Sequence, residues 1–216
     1  MNKCKPLNIL ISAGPTREPI DPVRYLSNHS SGKMGYALAA AARRFGSVTL
    51  VSGPVALAVP KNCHVIKTET AAQMGKAMDK AFAKADIIIM VAAVADYRPA
   101  QVAKQKIKKT QETLTLKLIK NPDILKRLGR KKKAGQILVG FAAETQKVLA
   151  YGKKKLVEKN LDWIIINNVA KKGIGFGAAE NAVTLVSKKG KTFHFVKQGK
   201  TALAAKLLAT IINSPF

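Results

Sequence analysis

The segment DPVRYLSNHSSGKMG, Asp21 to Gly35, gathers one carboxylate, two fixed cations, an amide, a histidine and three serines into one polar loop. Its last residues, Ser30-Ser31-Gly32-Lys33-Met34-Gly35, open an alanine-rich stretch of helical period. The first N–H groups of a helix lack intrahelical acceptors and lie at the positive end of its dipole, so such a turn can receive a phosphate. The spacing matches neither G-x-G-x-x-G nor the G-x-x-x-x-G-K-[ST] phosphate loop, and an ordinary helix start explains it equally well.

Three further groups could do chemistry. Lys106, Lys108 and Lys109 cluster in KIKK, and Lys153, Lys154, Lys155 and Lys159 cluster further on, with Lys155 and Lys159 one helical turn apart on a shared face. Such runs are either a solvated face or an anion clamp. Asp96 ends an apolar run, where a carboxylate is costly unless it caps a loop or meets a ligand. His29, His64 and His194 lack partners at metal-ligand spacing, and Phe176 sits in a glycine-rich loop that is either a lid or a long turn.

Strand-length apolar runs alternate with segments of helical period, which predicts a parallel sheet covered by helices on both faces. LNILISAG, SVTLVSGP and DIIIMVAAVADY read as strands, the last apolar on both faces as a central strand should be. Between them lie the helix GYALAAAARRFG, closed by Gly46, and the helix TAAQMGKAMDKAFAKA, capped by Thr70. A flap at about 98–120 then interrupts the alternation. NPDILKRLGRKKKAG reads as a helix with Asn121 as N-cap and Pro122 at the first position, ending at Gly135. QILVGFAAET and LDWIIINNVA return to the sheet on either side of a lysine-rich helix. A hairpin at about 181–198, turning at Lys189-Gly190, and an amphipathic helix complete a single domain over residues 1–216. In such a sheet, ligands sit beyond the carboxyl ends of the strands. SAGPT, SGP, AAVADYR, FAAET and NNVA all fall there, and Gly14 and Gly53 mark close backbone approaches.

The chain has 216 residues, 47% hydrophobic, with 38 Lys and Arg against 12 Asp and Glu, a formal net charge of +26. This excess attracts polyanions or phosphorylated small molecules. Nucleic acid is disfavoured because only 6% of residues are aromatic, leaving few stacking platforms, and arginine is scarce beside lysine. The missing glycine fingerprint argues against an NAD(P) oxidoreductase. Cys4 and Cys63, with no metal-site or disulfide spacing, fit a reducing cytoplasm. The short N-terminal apolar run reads as a core strand rather than a signal peptide, and no run is long enough for a membrane helix.

In chain order, ISAGPTREPIDPVRYLSNHSSGKMG, TLVSGPV, AAVADYR, KIKK, KNPDIL and GFAAET together resemble the phosphopantothenoylcysteine synthetase domain of the bifunctional bacterial coenzyme A flavoproteins. The resemblance runs from about Leu7 to Ala170. It implies a Rossmann-like, doubly wound, mostly parallel sheet, a homodimer, and a CTP-dependent ligase acting on 4'-phosphopantothenate and L-cysteine; Mg²⁺ is expected with it because a triphosphate ordinarily reacts as its metal complex. It further implies that Asn28 orients an acyl-cytidylate, with Arg24 and Ser30 lining the same pocket, and that Lys106 reaches CTP from a flap. Met90, Val91, Ala92 and Asp96 would hold the nucleoside, and Pro122, Asp123, Ile124, Leu125, Phe141, Lys155 and Lys159 would complete the nucleotide site. No metal ligands follow from it. Because the family joins this domain to a flavin-dependent decarboxylase, the chain is either a separate synthetase or a piece of such a protein.

Overall fold

The computed structural model describes residues 6–109, 112–169 and 177–214; Cys4 and Phe176 lie outside them. Six parallel strands form the body of the sheet: β1 (Leu7–Ala13), β4 (Gly46–Ser52), β5 (Cys63–Lys67), β6 (Ile87–Met90), β9 (Ile137–Glu144) and β10 (Trp163–Asn168). The antiparallel pair β11 (Glu180–Ser187) and β12 (Thr192–Gly199) extends one edge, giving the order β12-β11-β10-β9-β6-β1-β4-β5. Strand order therefore reverses between β1 and β6, and this is the switch point at which an open α/β sheet forms its ligand crevice.

The two faces are covered by different helices. α1 (Lys33–Ala42) and α5 (Lys200–Asn213) pack one face through Leu38, Leu203 and Leu207 against Ile9, Ile89 and Ile165. On the other lie α2 (Ala71–Phe82), α3 (Ile124–Lys131) and α4 (Val148–Glu158), with Met74, Leu128 and Leu156 against Leu10, Ile88 and Ile164. The period of two along the strands is visible in β6, whose Ile87 and Ile89 face α1 while Ile88 and Met90 face α2. Burial on both faces explains why these strands read as continuous apolar runs.

Several elements differ from the sequence reading. The opening polar loop contains a hairpin, β2 (Arg17–Asp21) paired with β3 (Arg24–Ser27), too polar and too short to register as strands. β5, half-exposed at the sheet edge, has no apolar run to reveal it. β6 stops at Met90, and the rest of its apolar run is loop stitched to the loop after β1. Gly46 starts β4 instead of closing α1, which ends at Ala42. The N-cap of α3 is Asp123, whose side chain accepts from the Lys126 N–H at 2.9 Å; Asn121 and Pro122 precede the helix, which ends at Lys131. Thr70 does cap α2, in a reciprocal box with Gln73. The segment between β7 (Tyr97–Pro99) and β8 (Leu118–Lys120), an antiparallel pair, folds back so that the Ala103 N–H donates to the Ile20 carbonyl of β2 at 3.0 Å.

Candidate functional site

The crevice is built by hydrogen bonds between two loops. Ser12, fully buried at the end of β1, accepts from the N–H groups of Val91 and Ala92 at 3.2 and 3.1 Å. Thr16 Oγ1 accepts from the Ala95 N–H at 3.0 Å, and the Ala93 N–H donates to the Gly14 carbonyl at 2.9 Å. These contacts hold the Ala93 carbonyl toward the crevice, where Asn28 Nδ2 donates to it at 2.9 Å. Asn28 is exposed and fixed by that one contact. The N–H groups of Val91 and Ala92 are engaged by Ser12 and are not offered to a nucleoside in this arrangement. Gly53 is required because a Cβ would fall on the Pro15 carbonyl oxygen, so its close approach is to protein backbone and not to a ligand.

The start of α1 faces a small pocket on the α5 side of the sheet. Gly32 adopts a left-handed φ of 75°, and the Tyr36 N–H is the first to bond within the helix, donating to the Gly32 carbonyl at 3.1 Å. The N–H groups of Lys33, Met34 and Gly35 precede that bond, as expected of a helix start. The pocket encloses about 50 Å³ and includes Ser30, Val91, Phe141, Asn167, Asn181 and Lys200 in its lining. Among the described residues that line it, none is a carboxylate. Asn167 Oδ1 is buried there and accepts no hydrogen bond from the described residues. Lys33 Nζ donates to the Gly177 carbonyl at 3.1 Å.

Arg24 and Lys106 meet through their backbone neighbourhood. Asp21, with a fully buried side chain, forms an ion pair with Arg24 at 2.5 Å and accepts the Ile107 N–H at 3.1 Å. Arg24 Nη2 donates to the Ile107 carbonyl at 2.8 Å, so both backbone groups of the residue after Lys106 are tied to the β2–β3 hairpin. Burial alone would raise the Asp21 carboxyl, but the hydrogen bonds from Arg24, Val23 and Ile107 and the Arg24 charge bring it down to about 2. Lys106 is exposed beside this latch, and among the described residues no carboxylate pairs with it.

The remaining expected residues lie on the other face. Asp96 is exposed, which removes the burial cost anticipated for it. Asn121 ties its neighbourhood to α3, its N–H donating to the Asp96 carbonyl at 2.8 Å and its Nδ2 to the Ala95 carbonyl at 2.9 Å. Thus Asp96 and Pro122 to Leu125 are held together, with Met90 and Ala92 packed on the same side as Ile124 and Leu125. Lys155 and Lys159 both have acid partners: Glu144 at 2.6 Å and Asp123 at 2.8 Å. Against burial, which raises it, the bond from Lys159 and the Lys126 N–H hold the Asp123 carboxyl below its ordinary value. Sequence reading missed Asp21, Asn167, Asn181 and Lys200. Asp21 lay inside the opening polar segment and Asn167 inside NNVA, which the sequence places at the ligand edge of the sheet, but neither was singled out for a role.

The reversed strand order and the stitched loops define a doubly wound α/β protein with a switch-point crevice, beside which the described lining of the pocket at the α1 start includes no carboxylate. More specifically, the chain belongs to the DNA/pantothenate metabolism flavoprotein C-terminal domain family, whose model matches residues 4–214. It is 52% identical over 208 residues to the coenzyme A biosynthesis bifunctional protein CoaBC of Haemophilus influenzae, covering 96% of this chain and 52% of that protein. The Escherichia coli K12 counterpart is 50% identical over 194 residues, covering 88% and 48%. The chain thus spans about half the length of the curated relatives it matches. The crystal structure of the C-terminal domain of a CoaBC protein superimposes with a TM-score of 0.82 at 40% identity, covering 98% of this chain and 96% of that one.

Proposed function

We propose that the chain is a CTP-dependent ligase that joins 4'-phosphopantothenate to L-cysteine in coenzyme A biosynthesis. The observation that carries this reading is the crevice at the switch point, where Asn28, the α1 start and a carboxylate-free cationic pocket converge in a chain of this family.

The chemistry follows from what a carboxylate lacks. It is a poor electrophile, so its oxygen attacks the α-phosphorus of CTP, and the bond to the bridging oxygen breaks, releasing pyrophosphate. The amine of cysteine then attacks the carbonyl of the acyl-cytidylate; the C–N bond forms, the C–O bond breaks, and CMP and the amine proton depart. Negative charge builds first on phosphoryl oxygens and then on a tetrahedral oxyanion, so oriented amides and cations contribute most. Ser30 and the N–H groups of Lys33, Met34 and Gly35 receive phosphoryl oxygens. Lys106 approaches from the flap during the first step, Arg24 both anchors the flap and lines the carboxylate's pocket, and Asn28 offers an uncharged donor to the oxyanion. Met90, Val91, Ala92 and Asp96 contact the nucleoside, with Pro122 to Leu125, Phe141, Lys155 and Lys159 completing its surround. Because Val91 and Ala92 spend their N–H groups on Ser12, their contribution is carbonyl and surface contact.

Among the described residues there is no cluster of three His, Cys, Asp or Glu side chains. The pocket's own side-chain oxygens are neutral serine and asparagine groups, so these residues do not build a magnesium site alone, and Mg²⁺ belongs to the triphosphate. The proposed assembly is a homodimer, supported by exposed Val23 and Tyr25 on the β2–β3 hairpin and Val102 and Leu118 beside it. The proposed location is the cytoplasm; no helix among the described residues is long and apolar enough to cross a membrane. A decarboxylase domain, fused or associated, is the proposed functional neighbour, in keeping with the bifunctional relatives.

The test is pyrophosphate release by the purified chain. Release that requires both CTP and 4'-phosphopantothenate, followed by CMP once cysteine is added, is expected. No release with either CTP or ATP would overturn the assignment.

A further inference from the structure

The two segments that wall the α3 side of the crevice are also the two roots of the flap. Asp96 directly precedes β7, and Asn121 with Pro122 to Leu125 directly follows β8. The two strands pair through Tyr97 with Lys120, Arg98 with Ile119 and Pro99 with Leu118, and the Ala100 N–H extends the ribbon by donating to the Lys117 carbonyl at 2.9 Å. Lys106 lies on the chain between them, and the residue after it, Ile107, is tied to Asp21 and Arg24. The lysine thus hangs between a latch at Ile107 and the ribbon root. A two-stranded pair this short is barely stable alone, so its root needs a fixed base.

One side-chain pair supplies that base. Arg98 Nη1 donates to the Lys120 carbonyl at 2.9 Å and to Asn121 Oδ1 at 3.0 Å. Asn121 Nδ2 donates in turn to the Ala95 carbonyl at 2.9 Å, and its backbone N–H to the Asp96 carbonyl at 2.8 Å. The bonds therefore run from the end of β8, through a guanidinium and an amide, to the loop ahead of β7. Their direction is fixed, because turning the Asn121 amide over would set its NH₂ against the guanidinium and its oxygen against the Ala95 carbonyl. Among the described residues no carboxylate pairs with Arg98. A planar cation that is held by two neutral oxygens fixes geometry and balances no acid. We propose that Arg98 and Asn121 are positioning residues for pyrophosphate release, locking the flap root to the nucleoside wall so that the bound nucleotide and the Lys106 amine share one frame. The proposal rests on the ligase reading, and both residues act through Lys106 without touching substrate.

A double-substitution cycle tests this, with Arg98→Met, Lys106→Gln and the two together in the full chain, read as single-turnover pyrophosphate release from CTP and 4'-phosphopantothenate. A shift of about 1 Å in a reacting group costs up to about 100-fold. Arg98→Met alone is expected to slow release about tenfold, and the double variant to stay within about twofold of Lys106→Gln alone, because the clamp acts through that lysine. Penalties that multiply, leaving the double variant about tenfold slower than Lys106→Gln, would overturn the proposal while leaving the ligase reading intact. Release at the unsubstituted rate in Arg98→Met would do the same. The Kd of inorganic pyrophosphate should stay within about twofold in Arg98→Met; a weakening of about tenfold, the scale of one lost ionic hydrogen bond, would make Arg98 a direct phosphate ligand and contradict the positioning role. If Arg98→Met does not fold, Asn121→Asp, which keeps an acceptor for Arg98 and loses the donor to Ala95, takes its place in the cycle with the same outcomes. A chain that releases no pyrophosphate before any substitution would sink the ligase reading and this proposal with it.

Discussion

Lys155 and Lys200 both border the carboxyl edge of one sheet, but they sit in opposite electrostatic settings. On the α3–α4 side, Lys155 meets Glu144 and Lys159 meets Asp123, and further lysines reach Asp79 and Asp162. On the α1–α5 side, Lys33 and Lys200 face a pocket whose described lining includes no carboxylate. Twelve acidic residues cannot neutralise 38 basic ones, so where the acids are spent distinguishes structural cations from ligand-seeking ones. Within the lysine runs that stand out in the sequence, Lys131, Lys132, Lys154, Lys155 and Lys159 meet acids, whereas Lys106 of KIKK is paired with none among the described residues. Lys200 lies outside those runs, between Gly199 and Thr201, and among the described residues no carboxylate pairs with it.

The flap lysine should show the largest effect. Lys106 belongs with the unneutralised group, and Lys106→Gln is expected to slow pyrophosphate release by about 100-fold or more, the scale of losing one charge-stabilising donor. Release at the unsubstituted rate would place Lys106 with the solvated lysines. Asn28→Asp should separate the two steps: pyrophosphate release continues while acyl-cytidylate accumulates, and product formation falls by about 100-fold because the new carboxylate opposes the oxyanion. Unchanged turnover would remove Asn28 from the second step.

An intermediate effect is expected at the latch. Asp21→Asn weakens the hold on Ile107, and turnover should fall by about tenfold, with little change in the nucleotide Kd. The pH behaviour provides a check. The Asp21 carboxyl lies at about 2, below its ordinary 3.8, so its contribution to stability is full above the unfolded value and is lost as pH falls toward the folded one. A plot of Tm against pH should therefore lose part of its acid-limb slope in Asp21→Asn, between about pH 4 and pH 2. An identical slope would mean that the carboxylate is not held as described. The smallest effects belong to Lys155→Met and Lys159→Met, whose charges are already partly spent on acids. Each should cost a few-fold in CTP affinity and about 0–1 kcal/mol in stability, as partly exposed pairs do. Losses near 100-fold in urea-titrated, fully folded variants would erase the contrast between the two faces.

The sequence carried the sheet well because burial on both faces makes β1, β4, β6, β9 and β10 continuous apolar runs, and Thr70 marked its helix through local capping chemistry. The short hairpin β2–β3 and the edge strand β5 were illegible because neither buries enough to require an apolar pattern. For the site, chain-local motifs brought Asn28, Ser30 and Lys106 into view. Contacts made across the chain did not show: Asp21 to Ile107 spans 86 residues, and Asn167 and Lys200 come to the α1 start only through the order of the strands. Asp96 illustrates the opposite error, since its run looked buried to the end but β6 stops six residues earlier, at Met90.

The decisive experiment is isotope transfer from the substrate carboxylate. With 4'-phosphopantothenate carrying heavy oxygen in its carboxylate, one turnover with CTP and cysteine should move a single heavy oxygen into the phosphate of CMP, because the carboxylate oxygen becomes the bridge that breaks when cysteine attacks. CMP formed without heavy oxygen, alongside normal amide product, would show that no acyl-cytidylate forms and would contradict the roles given to Asn28 and Lys106 in making and consuming it.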